Sequence, residues 1–276
     1  MLGFVSRPTG GLGNRLFQYH FLLQFARLAN GETSIPWKKD HQFVSKTTGL
    51  LAHWVWASSQ KLQTLSSSDF QSYSQNEIKN FMLEKSSSQE DIALKPPILG
   101  ELFYQTCFED PKTLFKPQKV VAPPNPYIAI HIRGGDFASW NPAAILPSSY
   151  YRDAIELTMQ SRTDFDTPLV IVTDDLAQPS VAEIARIFSE NLSQGLEIRQ
   201  IMRSDSDLST DFRLLGSAET LISSPSTFAI WASILGQNRE VLHSKIWVER
   251  MANEGDQFWA SLLAGGNGYY RAERLV

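Results

Sequence analysis

Short apolar runs alternate with amphipathic stretches along the second half of the chain, which separates buried strands from helices. Strands are predicted at Tyr127 to Ile130, Pro168 to Val172, Leu196 to Arg199 and Thr220 to Ser223. Between and after them the spacing predicts helices over Ser148 to Ser161, around Ser180 to Glu190, from about Asp211 to Glu219, and over Thr227 to Leu235. Strands that alternate with helices imply a parallel sheet covered on both faces, with the loops at the strands' carboxyl ends gathered along one edge.

The first half is less regular. Leu2 to Ser6 reads as a weak strand, Pro8 to Asn14 as a tight turn, and Arg15 to Ala29 as a helix ended by Asn30-Gly31. That helix is apolar around most of its circumference, so it is expected to be buried. A glycine-rich turn opening onto a buried helix resembles a phosphate-binding βα turn. It lacks the Gly-Lys-Ser/Thr ending of a P-loop and does not complete a dinucleotide fingerprint. From Gly31 to Leu94, Trp37, Trp54, Trp56 and Phe70 lie among Ser and Gln clusters, which predicts short helices and loops, with a strand at Ile98 to Phe103. Prolines 117, 123, 124 and 126 make Lys116 to Pro126 an extended linker. The expected domains are therefore residues 1–120 and 121–276.

Composition narrows the function classes. A net charge of -4, with 25 Lys and Arg dispersed over 276 residues, argues against nucleic-acid binding by bulk charge. A single cysteine, Cys107, cannot form an internal disulfide, which favours a reducing compartment and a thiol that packs as a small hydrophobe. The first residues do not resemble a secretory signal, and no run approaches the ~18 apolar residues that span a bilayer. A cytoplasmic location is expected, with peripheral membrane association left open. Five histidines and one cysteine without metal-ligand spacing give no expected zinc site.

Three polar segments follow predicted strands and should converge at one sheet edge. His131-Ile132-Arg133-Gly134-Gly135-Asp136-Phe137 combines a guanidinium, two glycines and a carboxylate, which suits an anionic ligand. An ordinary turn with a solvated Arg and Asp would use the same residues. Asp174 and Asp175, after Thr173, read either as caps of the next helix or as acceptors for a ribose, a base or a metal. Ser226 and Thr227 stand at a helix start, where they either cap the helix or help hold an anion.

These segments bear a family likeness. Gly10-Gly11-Leu12-Gly13-Asn14-Arg15-Leu16-Phe17-Gln18-Tyr19 resembles the amino-terminal signature of the α1,2-fucosyltransferases, which usually has Gln where Arg15 stands. His131 to Phe137 resembles that family's first shared motif, and Thr173-Asp174-Asp175 its Ser-Asp-Asp segment. Asp211-Phe212 through Leu221 to Ala232, including Ser224, Ser226, Thr227 and Phe228, is similar to its long carboxyl-side motif. The likeness spans residues 10 to 232 and leaves 31 to 120 uncovered.

The resemblance implies an α/β fold of GT-B type: two Rossmann-like domains with parallel sheets facing across a cleft, the amino-terminal one on the acceptor side. It implies inverting transfer of fucose from GDP-fucose to a hydroxyl of a glycan or lipid-linked sugar acceptor, in α1,2 linkage and with no required metal or cofactor. Arg133 occupies the position that family members use for the donor's β-phosphate. Since cleavage builds charge on the leaving diphosphate, Arg133 and the amides at Ser226-Thr227 are its expected stabilisers. Gly11, Gly13 and Asn14 are expected to close over the phosphate or the fucose ring. Asp136 or His131 would accept the acceptor's proton, unless Asp136 only holds Arg133 in place. The family usually has a second Arg where Gly134 stands, and Asn, His and Trp where Pro225, Thr220 and Ile230 stand. Those departures leave two alternatives open: another GDP-sugar as donor, or a non-catalytic nucleotide-sugar or glycan binder.

Overall fold

The structure is a computed structural model that describes residues 2–4, 9–28, 38–44, 63–65, 69, 72–87, 92–94, 107, 110–116, 126–140, 142, 145–160, 167–191, 196–200, 205–253 and 273–275. The chain divides into two compact units, Met1–Pro117 and Gln118–Val276. Both are α/β with parallel sheets. The strand expected at Ile98 to Phe103 and most of the proline-rich linker lie outside the described residues.

In the first unit, β1 (Leu2–Phe4), β2 (Gln63–Leu65) and β3 (Ile92–Leu94) form a three-stranded sheet in the order β1-β3-β2. Helix α1 (Leu12–Leu28) starts earlier than its apolar pattern predicts, because the Arg15 amide already bonds to the Gly11 carbonyl at 3.1 Å. Gly13 and Asn14 thus belong to its first turn. Leu12, Leu16, Phe17, Tyr19, Phe21, Leu22 and Leu23 are all buried, as expected for a helix apolar all round. Helix α2 (Gln75–Ser87) opens on a capping box, in which the Glu77 carboxylate accepts from the Ser74 amide at 2.7 Å. A single turn, α3 (Pro111–Leu114), follows. Cys107 is buried and is not part of a disulfide.

The second unit carries six parallel strands: β4 (Ile128–Ile132), β5 (Leu169–Thr173), β6 (Leu196–Gln200), β7 (Thr220–Ser223), β8 (Glu240–Ser244) and β9 (Glu273–Leu275). Their order is β6-β5-β4-β7-β8-β9. The chain winds outward from β4 in one direction, then returns to β7 on its other side and winds the opposite way. Such a reversal leaves a crevice beyond the carboxyl ends of the two central strands, where open α/β sheets hold their ligands. Every residue of β4, β5 and β7 is buried, as befits strands covered on both faces.

The helices of this unit are α4 (Phe137–Trp140), α5 (Ser148–Gln160), α6 (Pro179–Asn191), α7 (Asp205–Ser217), α8 (Thr227–Leu235) and α9 (Lys245–Asn253). Helix α7 begins six residues before the predicted Asp211, since its first turn is polar and has no periodicity to read. Helix α8 is apolar on all sides and packs on α7 so closely that a Cβ on Gly216 would lie 2.6 Å from the Ala232 carbonyl oxygen. Among the described residues no helix is long and apolar enough to cross a membrane.

Candidate functional site

Pairing of His131 with Val172 and Ser223, and of Ile132 with Thr173, draws both residues into β4, two positions beyond the strand's predicted end. The motif loop proper is therefore Arg133 to Asp136. It closes by a bond from the Phe137 amide to the Gly134 carbonyl at 2.9 Å. Gly135 has φ 41°, a left-handed conformation that favours glycine, and a Cβ there would stand 2.8 Å from Asp174 Oδ2. At Gly134 a Cβ would meet Gln178 Cγ at 2.6 Å and Asp175 Cβ at 2.9 Å. Neither glycine has room for a side chain unless its neighbours move.

Arg133 is braced from two sides. Its Nη2 donates to Asp136 Oδ1 at 2.6 Å, and its Nη1 lies 2.7 Å from Asp174 Oδ2. Phe137 adds a third contact, its ring centroid 4.9 Å from the guanidinium carbon. The other Asp174 oxygen accepts the Gly134 amide at 2.7 Å. The two carboxylates differ in setting: the Asp174 side chain is 9% exposed and that of Asp136 56%. A guanidinium has five N–H donors, so two braces leave most of them for a ligand. Asp175 turns the other way, its Oδ1 accepting the Ala177 amide at 3.0 Å in the turn that leads to α6.

Across the switch point, the Ser224 amide donates to the His131 carbonyl at 3.1 Å, and Ser224 Oγ lies 2.6 Å from His131 Nδ1. This double link ties the end of β4 to the loop after β7. Tyr150 reaches the same rim, its hydroxyl donating to the Ser223 carbonyl at 3.1 Å. Burial pushes His131 down to about 3, with Arg133 adding to the shift, so the imidazole is neutral near pH 7. It is a buried prop and a weak base. The Phe228 ring lies 6.1 Å from it, centroid to centroid.

Ser226 is the N-cap of α8, with φ -152° and ψ 124°, yet its side chain caps no amide. Ser224, Pro225 and Ser226 are buried and Thr227 half-buried. Arg133, Asp136, His131, Asp174, Asp175, Ser224, Ser226, Thr227 and Phe228 thus all belong to the loops and strand ends of one sheet edge. Gln178 and Tyr150 join them there, and sequence reasoning missed both. Gln178 had one usable signal, its position immediately before the proline that opens α6.

Gly11, Gly13 and Asn14 belong to the first unit. Gly11 is exposed, Gly13 buried and Asn14 half-buried. Gly10 has φ 83°, and a Cβ there would fall 2.6 Å from Asn14 Nδ2. The turn is held from behind by Arg15, whose Nη1 donates to the Gly10 carbonyl at 2.9 Å. Its Nε and Nη2 grip both oxygens of Asp40, at 2.7 and 2.8 Å. Tyr19 donates to Asp40 Oδ2 at 2.6 Å. Burial would by itself lower the Arg15 pKa, but Asp40 and Tyr19 outweigh it and hold it above its ordinary value. The residue standing where the resemblance has Gln is thus a buried clamp. Among the described residues no group of three or more His, Cys, Asp or Glu is arranged to hold a metal ion.

Solved structures share this fold. FUT1 of Arabidopsis thaliana, a mutant in complex with GDP, aligns with a TM-score of 0.52 at 13% identity, over 87% of this chain and 70% of its own. POFUT1 in complex with GDP aligns with a TM-score of 0.51 at 12% identity, over 85% of this chain and 94% of its own. The fucosyltransferase NodZ from Bradyrhizobium gives 0.48 at 12% identity, over 85% and 92%. At such identities the likeness to FUT1 and POFUT1 establishes the fold alone. No family model matches the chain, and no curated protein matches it.

Proposed function

We propose that this chain is an inverting, metal-independent glycosyltransferase that moves fucose from GDP-fucose to a hydroxyl of a glycan acceptor, in α1,2 linkage. The observation that carries this reading is Arg133, braced by Asp174 and followed by two glycines, at the switch point of a sheet whose fold is shared with GDP-bound fucosyltransferases.

In this reading Arg133 and the first amides of α8 bind the β-phosphate and strengthen their hold as the leaving diphosphate gains charge. Neutralisation by a guanidinium and helix amides needs no divalent cation. His131 and Ser224 keep the two strand ends at a fixed separation, and Phe228 packs against the His131 ring. An inverting displacement sets the attacking hydroxyl and the leaving phosphate on opposite faces of the sugar. A carboxylate bonded to the phosphate-binding guanidinium is on the wrong face for a base, so Asp136 serves Arg133. Gly13 and Asn14 serve the donor as a second contact.

One observation favours a second reading. Two carboxylates already neutralise the single guanidinium, and Gly134 leaves no room for another. A protein that binds GDP or a GDP-sugar without turnover, or one using another GDP-sugar, would tolerate this weaker positive field. Incubation with radiolabelled GDP-fucose, GDP-mannose and UDP-galactose, a panel of galactosides and excess EDTA separates the readings. The proposal expects labelled fucosylated product from GDP-fucose alone, undiminished by chelator. GDP binding without product from any donor supports the binder, and activity restored only by added Mg or Mn contradicts the metal-independent account.

A further inference from the structure

Gly134 lacks a side chain, and the space above it is filled by Gln178. The carboxamide nitrogen Nε2 stands 2.7 Å from where a Gly134 Cβ would be, and Cγ 2.6 Å. Gln178 arrives there from the neighbouring strand: it ends the turn after β5, accepts the Val181 amide on its carbonyl at 2.9 Å, and so starts α6. The residue is 7% exposed, and its side-chain amide has no hydrogen-bond partner among the described residues. Its amide atoms are not sealed from solvent, so the N–H donors stay available at this loop. A ligand at this loop would take those donors in place of water. The carboxamide adjoins the Gly134-Gly135 turn that follows Arg133.

We propose that Gln178 is a donor-contacting residue that gives a neutral hydrogen bond to the β-phosphate of the nucleoside diphosphate, beside Arg133. This rests on the GDP-sugar reading of the same site. A carboxamide adds a donor without adding charge, so the site grips the terminal phosphate by one cation and one neutral group. It also accounts for glycine at 134, because any side chain there would displace the carboxamide.

The test measures GDP and GMP binding to the full chain by calorimetry, for the wild type, Gln178→Met and Gln178→Glu, with thermal unfolding as a control. Met keeps the packing volume and removes the hydrogen bond; Glu keeps the shape and sets a negative charge beside the phosphate. Loss of one hydrogen bond to a charged phosphate should weaken GDP binding about tenfold in Gln178→Met, with GMP changed by less than about twofold. Gln178→Glu should bind GDP more weakly still. Wild-type GDP affinity in a folded Gln178→Met, or equal losses for GDP and GMP, overturns the proposal and leaves the donor reading intact. A wild type that binds no GDP overturns the donor reading and this proposal with it.

Discussion

Asp174 joins the ends of two neighbouring parallel strands by standing 2.7 Å from Arg133 with one oxygen, while the other accepts the Gly134 amide at 2.7 Å. The two residues are far apart in sequence and become neighbours only because β4 and β5 pair in register, Ile132 opposite Thr173. The carboxylate fixes both the direction of the guanidinium and the path of the glycine loop beneath it.

Replacing that carboxylate by its amide tests the brace. Asp174→Asn still accepts from the Gly134 amide but no longer aims Arg133 by charge. Transfer from GDP-fucose should fall on the order of tenfold to hundredfold in kcat/KM, the range for a hydrogen bond to a charged group. Equal or faster transfer would mean that Asp174 competes with the donor for Arg133.

The buried clamp of the first unit predicts a stability effect. The Arg15 and Asp40 side chains are 8% and 2% exposed, so Asp40→Ala leaves an enclosed guanidinium without its charge partner. Unfolding in urea should show a loss of about 3–5 kcal/mol. A change below about 1 kcal/mol would show that water reaches Arg15 and replaces the carboxylate.

Three enclosed histidines predict acid sensitivity. Burial holds His20 and His131 down to about 3 and His243 to about 4, against 6.5 for an ordinary imidazole. Below pH 6.5 the unfolded chain takes up protons that the folded chain refuses. The neutral-histidine contribution is therefore complete above 6.5 and drains away as pH falls towards 3 to 4. Each histidine contributes a slope of ~1.4 kcal/mol per pH unit once its unfolded form is protonated. Urea midpoints measured from pH 7.5 to 5 should fall steadily, and His131→Asn should fall less steeply. An unchanged slope in His131→Asn would show that the imidazole is protonated in the folded state.

The parallel sheet of the second unit was readable because its central strands are short β-branched runs buried on both faces, which leaves helix and strand segments distinct. Strand β8 has Glu240 at its start and polar residues on either side, so its pattern is too short to stand out. The glycine loop and Arg133 were legible as residue types in a suggestive order. What surrounds them was not: the partners of Arg133 and Arg15 come from other elements, and spacing along the chain says nothing about pairing across a sheet. Gln178 is a common polar residue, and it becomes informative only when the space over Gly134 is known. Arg15 looked like a departure from a motif, and its role became plain once Asp40 and Tyr19 were found against it.

Arg133 is the centre of the proposed chemistry, and the most direct measurement is transfer by a folded Arg133→Ala protein. Loss of one aimed donor removes roughly 3–4 kcal/mol of transition-state stabilisation. Arg133→Lys keeps the charge and loses the fork that both braces grip, so it should stay strongly impaired. With thermal unfolding confirming the fold, the account predicts transfer from GDP-fucose at least about 100-fold slower in Arg133→Ala, together with weaker GDP binding. Near wild-type turnover in that folded variant would contradict it.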